Sequence, residues 1–267
     1  MLIKQLKSSI YSALLSKGKR IVPTTPFSKL TEFFKMVQPI DAGYQLVRIG
    51  APGDGGYLVP DDLEGIDFCF SPGVSTVADF ELSFANRGVK SFLIDYSVET
   101  APVNHALIEF ERKFLGITND DIFVRLDDWV KAKAPRSNNN ILQMDIEGAE
   151  YDVLFDVSPE TLQKFRILII EFHHLDNLML EGDFKLFDLI FKKITKYFDV
   201  VHNHPNNCAP SYQYGTFEIP PIMELTFLRK DRASQRIPVS QFPHPLDHHN
   251  VDGMEDFALP KCWYHGR

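Results

Sequence analysis

From residue 66 onward, short apolar runs alternate with longer stretches whose apolar residues recur every three or four positions. That alternation restricts the chain to β-α units around a mostly parallel sheet. Seven runs read as strands: IDFCF (66–70), KSFLID (90–95), DIFVRL (121–126), NILQMDI (140–146), RILIIEF (166–172), FDVVHNH (198–204) and MELTFLRK (223–230). Residues 76–88, with Gly88 as C-cap, and residues 102–116 and 183–198 carry helical spacing. Between the last two strands, residues 205–221 read as a loop, which lets strand seven return antiparallel. The expected fold is therefore α/β, a doubly wound, seven-stranded, mostly parallel sheet with an antiparallel last strand.

The remaining segments attach to this unit. Residues 1–46 are expected as a helical lead-in, 47–235 as the α/β domain, and 236–267, with Pro238, Pro243 and Pro245, as an irregular segment packed on the same domain. Within the α/β domain, an Asp54-Gly55-Gly56 turn predicts a hairpin ahead of the first sheet strand. The first twenty residues are basic and amphipathic, without an apolar stretch of spanning length. They predict no stable membrane insertion, only weak association with a membrane surface.

The chain has 267 residues, 44% hydrophobic content and a net charge of −8. It has enough apolar content for one sizeable core and no general basic field for nucleic acid. Three widely spaced cysteines, Cys69, Cys208 and Cys262, suit a reduced compartment, so the expected location is cytoplasmic. The oligomeric state is not legible.

In a doubly wound sheet ligands bind beyond the carboxyl ends of the strands. After the first strand, Gly73 permits close backbone approach, and Ser75 or Thr76 can cap the next helix. Asp95 follows the second strand, 22 residues on from Gly73, where an acid can grip a ribose or cap a helix. Asp127 and Asp128 end the third strand, as adenine contacts or as N-caps. The fourth strand delivers Asp145, Glu147 and Glu150 around Gly148; the two glutamates suit a helix's first turn, whereas Asp145 stands at the strand end. Glu171, His173 and His174 end the fifth strand, and His202 and His204 the sixth. A carboxylate with imidazoles at one edge suits a general base or a divalent metal site, the latter formed by Asp145, Glu171 and His204.

The succession SPGVSTVADFE, Asp95, LDDWV, LQMDIEGAEYDVL and IIEFHH, over roughly residues 47–230, resembles the FkbM-type S-adenosylmethionine-dependent methyltransferases, whose hallmark is a D-x-E-G-A-E stretch. The resemblance implies a Rossmann-like class I methyltransferase fold with S-adenosylmethionine as cofactor. It places Gly73 and Ser75 at the amino-acid moiety, Asp95 on the ribose, Asp127 and Tyr96 near the adenine, and Asp145 by the sulfonium, with the Asp54–Tyr57 turn either folding over the cofactor or making only a tight hairpin. Its relatives point to O-methylation of a sugar, in a nucleotide-activated sugar or a surface glycan. The base is expected to be His173 or His174, with His202 and His204 as alternatives. Two other readings are a metal-dependent hydrolase using the Asp/Glu/His rim and a noncatalytic binding module on the same fold.

Overall fold

The computed structural model describes residues 10–265. Seven strands form the central sheet: β1 (Phe68–Pro72), β2 (Lys90–Ile94), β3 (Ile108–Glu111), β4 (Asn140–Met144), β5 (Phe165–Phe172), β6 (Phe198–Pro205) and β7 (Met223–Arg229). Their order across the sheet is β6-β7-β5-β4-β1-β2-β3. Pairings among β1 to β5 are parallel, and β7 runs antiparallel between β5 and β6. The fold class expected from the alternating pattern is thus the one observed. Every residue of β4 and β5 is buried, as both faces of a parallel sheet require.

One face is covered by α1 (Phe27–Met36), α3 (Leu126–Lys133), α4 (Glu150–Asp156) and α6 (Glu181–Thr195), which form the larger core with Phe70, Leu142, Leu168 and Ile170. In α6, Phe184, Phe187, Ile190, Phe191 and Ile194 make the buried stripe. Lys193 of α6 donates to the carbonyls of Leu154, Phe155 and Val157, satisfying the open end of α4. The opposite face is covered by α2 (Asp79–Ala85) and a hairpin pairing residues 46–49 with 57–60, packed on Cys69, Ile141, Ile167 and Ile169.

Two expectations fail along the chain. Residues 102–116 form no helix: they supply the edge strand β3 and then a short strand at Phe114–Gly116. Ile108 and Phe110 alternate with Glu109 and Glu111, and this two-residue period prevails over the weaker helical one. The outward glutamates meet cations, Glu109 at 2.6 Å from Lys90 and both at 2.5 Å from Lys133, which blunts the exposed edge. Residues 121–126 are consequently not the third sheet strand. Phe123–Arg125 pairs in parallel with Phe114–Gly116 in a separate ribbon, and α3 starts at Leu126. The supposed loop 205–221 also contains a small hairpin, Tyr212–Tyr214 with Phe217–Ile219.

The C-terminal segment has little regular structure but a firm anchor. Trp263 is fully buried against Phe34 and Phe33, its indole N–H donates to the Glu218 carbonyl, and its own carbonyl accepts from Asn203. Residues 10–15 are helical; residues 1–9 of the basic amphipathic stretch lie outside the described residues. Among the described residues no helix is long and apolar enough to cross a membrane. Trp263→Ala is expected to lower stability by about 3–5 kcal/mol, the usual loss for an emptied aromatic site, measured as a reduced urea midpoint with an unchanged slope.

Candidate functional site

The close approach of β1 and β4 builds the floor of the site. Gly73 has φ +87°, and a Cβ placed there would stand 1.6 Å from the Asp145 carbonyl oxygen. Only glycine therefore lets the turn after β1 lie against the end of β4. Ser75, also at positive φ, donates its amide to Asp95 Oδ2 at 2.8 Å. Ser97 donates its amide and hydroxyl to Oδ1, both at 2.7 Å. Asp95 thus ties two strand-end loops together; no helix follows it to be capped. A carboxylate has about four acceptor positions, so Asp95 keeps one for a ligand hydroxyl.

The acidic motif after β4 resolves into three roles. Glu147 (φ +56°) and Gly148 (φ +102°) reverse the chain so that the amides of Ile146 and Gly148 both donate to Glu150 Oε1, each at 3.1 Å. Glu150 is fully buried, and His173 Nδ1 lies 3.2 Å from the same oxygen. Tyr151 donates to the His173 carbonyl at 2.7 Å and stacks on Phe187. The imidazole is therefore held at both its ring and its backbone. Its Nε2 faces Asp145 Oδ1 at 3.8 Å and Glu147 Oε2 at 3.5 Å. Burial opposes charge on His173, but the Glu150 hydrogen bond and the surrounding acids prevail and raise its pKa above the ordinary value.

Asp145 carries the unbalanced position. Its Oδ1 is buried without a hydrogen-bond partner. Burial, and then the negative neighbours Glu147, Glu150 and Asp54, push its pKa up to about 7 despite the attraction of His173. Further along the same face, Glu171 is raised by burial, Asp145 and Glu224, and burial lifts Glu224 to about 8. Glu81 is likewise lifted to about 7 by burial. Ser71 Oγ lies 2.5 Å from Glu81 Oε1 and 2.6 Å from Gln143 Oε1, and Gln143 Nε2 donates to the Tyr57 hydroxyl. With Ser71's single proton given to Gln143, a protonated Glu81 supplies the other bond.

Asp145, Glu81, Gln143 and Tyr57 border one cleft together with Asp95. Its larger part, about 590 Å³, has Asp95, Ser97, Asp145 and Glu147 as polar walls and Ile94, Phe114, Leu115, Phe123 and Ile146 as apolar ones. A narrower arm reaches Tyr57, Glu81 and Gln143, and Asp54, at the hairpin turn, borders both. The volume and the mixed lining suit a nucleoside-sized ligand. An unpaired acid oxygen, with further acids around it, favours a ligand that is positively charged at that point.

Of the residues singled out from the sequence, Gly73, Ser75, Asp95 and Asp145 line this cleft, and His173 stands beside Asp145. Tyr96 is set behind the wall, its ring 5.4 Å from Phe114 and under the Arg112 guanidinium. Asp127 is taken by the Ser158 amide and hydroxyl, so it bridges α3 to the next helical turn instead of reaching the cleft. His174 is exposed at φ +57°, with its ring close to Gly148. The expected metal set of Asp145, Glu171 and His204 does not assemble. β7 intervenes between β5 and β6, carrying the sixth strand's histidines away, and His202 and His204 turn to Asp247. Beside the cleft, Asp145 and Glu147 gather with His173, their donor atoms within 4.8 Å.

Residues 85–198 match the family described as the methyltransferase FkbM domain. That stretch is similar to FkbM-type methyltransferases. The FkbM-type region contains Asp95, the acidic motif and His173, while Gly73, Ser75 and the hairpin precede it. The match supports S-adenosylmethionine-dependent methylation in general terms. No curated protein matches the chain. Among solved structures, the METTL16 MTase domain is similar at 10% identity and TM-score 0.34, over 63% of this chain and 61% of that one. A human methyltransferase 10 domain containing protein is similar at 10% identity and TM-score 0.35, over 83% and 93%.

Asp145 gives the site a pH signature. Below about pH 4 its carboxyl is protonated whether the chain is folded or not; between 4 and 7 only the folded state keeps the proton, so stability falls as pH rises. Asp145→Asn is expected to melt a few degrees above the parent protein at pH 8, with the gap closing toward pH 4, while methyl transfer is lost. A gap independent of pH would remove Asp145 as the strained group. Gly73→Ala is expected to abolish cofactor binding, read by calorimetry, because the added methyl group meets backbone.

Proposed function

We propose that the protein is an S-adenosylmethionine-dependent O-methyltransferase acting on a sugar hydroxyl, in a nucleotide-activated sugar or a surface glycan. The observation that carries this reading is that Asp95 and Asp145, from separate strands, border one cleft with His173 at its edge. In this assignment Asp95 accepts from the ribose hydroxyls with the position its serine bonds leave open. Phe114 and Phe123 receive the adenine, and Gly73 and Ser75 border the amino-acid moiety. When bound, the cofactor supplies a methyl group on a sulfonium; the residues fit that charge because Asp145 offers an unpaired buried oxygen beside other acids.

His173 is assigned as the general base. A sugar hydroxyl is a poor nucleophile at neutral pH, and a positioned base removes its proton as the oxygen attacks. Glu150 fixes the ring through Nδ1, which leaves Nε2 on the side of Asp145 to take the proton. This is the base-plus-orienting-carboxylate arrangement of activated nucleophiles generally. His174, exposed at the rim, is placed to meet the acceptor and not the reacting atoms. A divalent cation held by Asp145, Glu147 and His173 is the second way to lower the hydroxyl's pKa, and added chelator distinguishes it: the imidazole route is indifferent to chelation.

S-adenosylmethionine is expected to raise the melting temperature, by an amount equivalent to about 2.7 kcal/mol at a hundredfold excess over Kd, while NAD has no effect. With a panel of sugar acceptors, S-adenosylhomocysteine release should rise with pH through a value above 6.5, the ordinary pKa of the base. His173→Asn is expected to lose roughly 10²–10⁴-fold in kcat. Glu150→Gln should lower activity and move the rising limb to lower pH, since the carboxylate that raises the His173 pKa is gone; a limb that stays in place removes His173 as the base.

A further inference from the structure

Away from the cleft, at the far edge of the sheet, a second group of ligating side chains converges. A bulge between Val200 and His202 sets His202 and His204 in register with Thr226 and Glu224 of β7. Their rings are nearly parallel, with centroids 6.5 Å apart. Both are buried, at 3% and 7% exposure. Asp247, reaching in from the C-terminal segment, places Oδ1 2.8 Å from His202 Nε2 and 3.8 Å from His204 Nδ1. Its other oxygen is fixed by the His244 amide at 2.7 Å.

A hydrogen bond from His202 to Asp247 accounts for one imidazole and leaves the second unexplained. His204 Nδ1 stands 3.8 Å from the same Asp247 oxygen, too far for a hydrogen bond. The segment that carries Asp247 has little else to hold it. None of residues 244–251 belongs to the apolar cores, and Leu246 is exposed. Its other bonds to the body are polar, from Asn250 to Glu224 and between Val251 and Asn207.

We propose that His202, His204 and Asp247 hold a divalent transition-metal ion of the zinc type, which fastens segment 244–251 onto β6. Two imidazoles and a carboxylate form a donor set suited to zinc and its neighbours. The three donor atoms lie within 4.8 Å of one another. Ligands about 2.0–2.1 Å from a tetrahedral zinc stand ~3.4 Å apart, between the 2.8 and 3.8 Å separations at the Asp247 oxygen, so small side-chain adjustments admit the ion. On binding, the ion takes the place of the proton between His202 Nε2 and Asp247, and the ring's proton resides on Nδ1. Water completes the coordination from the cavity of about 500 Å³ that His202 and His244 both line.

The test uses the full chain, stripped with chelator and titrated with Zn²⁺ by calorimetry. One site per chain is expected, weakened ~100-fold or more in His204→Ala and in Asp247→Asn, since the loss of even an outer-shell partner costs 10–100-fold. Glu147→Gln should leave it intact, which separates this site from the group at Asp145. Circular dichroism checks that the variants fold. In the parent protein, Co²⁺ should give a visible spectrum of nitrogen and oxygen ligation without a thiolate band, and Zn²⁺ should slow proteolysis within residues 236–260. No uptake by the parent protein, equal affinity in both ligand variants, or metal binding that leaves that segment's proteolysis unchanged would overturn the assignment.

Discussion

The buried carboxyl of Glu150 is the interaction on which the His173 edge of the cleft depends. Glu150 is fully buried: its Oε1 accepts from two amides and lies 3.2 Å from one imidazole nitrogen, while Oε2 has no partner. Those amides are available only because Glu147 and Gly148 adopt left-handed conformations. The turn thus forms a small anion-binding concavity and fills it with its own side chain. Since the same oxygen faces His173 on β5, one carboxylate fixes the β4 turn, the start of α4 and the orientation of a ring on the neighbouring strand. Asp145 stands at the strand end, its Oδ1 without a partner, and lines the cleft with Asp54, Asp95 and Glu147.

That arrangement divides the acids of the sheet into two kinds. Glu150 and Asp95 have partners supplied by the fold and act as structural ties. Asp145, Glu171, Glu224 and Glu81 are buried where their charge is poorly compensated, and each is pushed toward the protonated form. Groups held in this way weaken the native state near neutral pH. They concentrate on the hairpin side of the sheet, at the carboxyl ends of the parallel strands, where a bound cation would relieve them. Beneath α1, α4 and α6, packed aromatic rings provide the stability against which the polar side is set.

Much of the sheet was legible because buried parallel strands such as RILIIEF are apolar at every position, a signal that needs no tertiary information. The edge was not: β3 is four residues long and lies inside a stretch whose apolar residues also fit a helix. Gly73, Asp95 and Asp145 were legible as strand-end residues, since topology alone brings such ends together. Glu150 was read only as a first-turn acid, since its burial depends on a backbone reversal that local sequence does not declare. Glu81, Phe114 and Phe123 were missed as cleft residues, whereas the Asp54–Tyr57 turn was legible as a hairpin that could fold over the cofactor. Glu81 had left a trace, a charged residue beside Phe80 in the buried face of α2. His202 and His204 were placed on the wrong neighbour because the return of β7 between β5 and β6 is a property of the whole topology.

On the proposed function, the same topology separates donor from acceptor recognition. The FkbM-type match begins at residue 85 and ends at 198, so it includes β2 to β5 and stops at the start of β6. Outside it lie the hairpin bearing Asp54, the small hairpin after β6, and the C-terminal segment anchored by Trp263. Asp54 borders the cleft from a strand pair that is not part of the main sheet, and residues 244–251 touch the body through polar side chains. Surface segments held by few contacts can change without disturbing a core, whereas the Glu150 turn cannot change without releasing His173. Acceptor choice is therefore best placed in those flanking segments, and the chemistry in the rigid turn between β4 and α4.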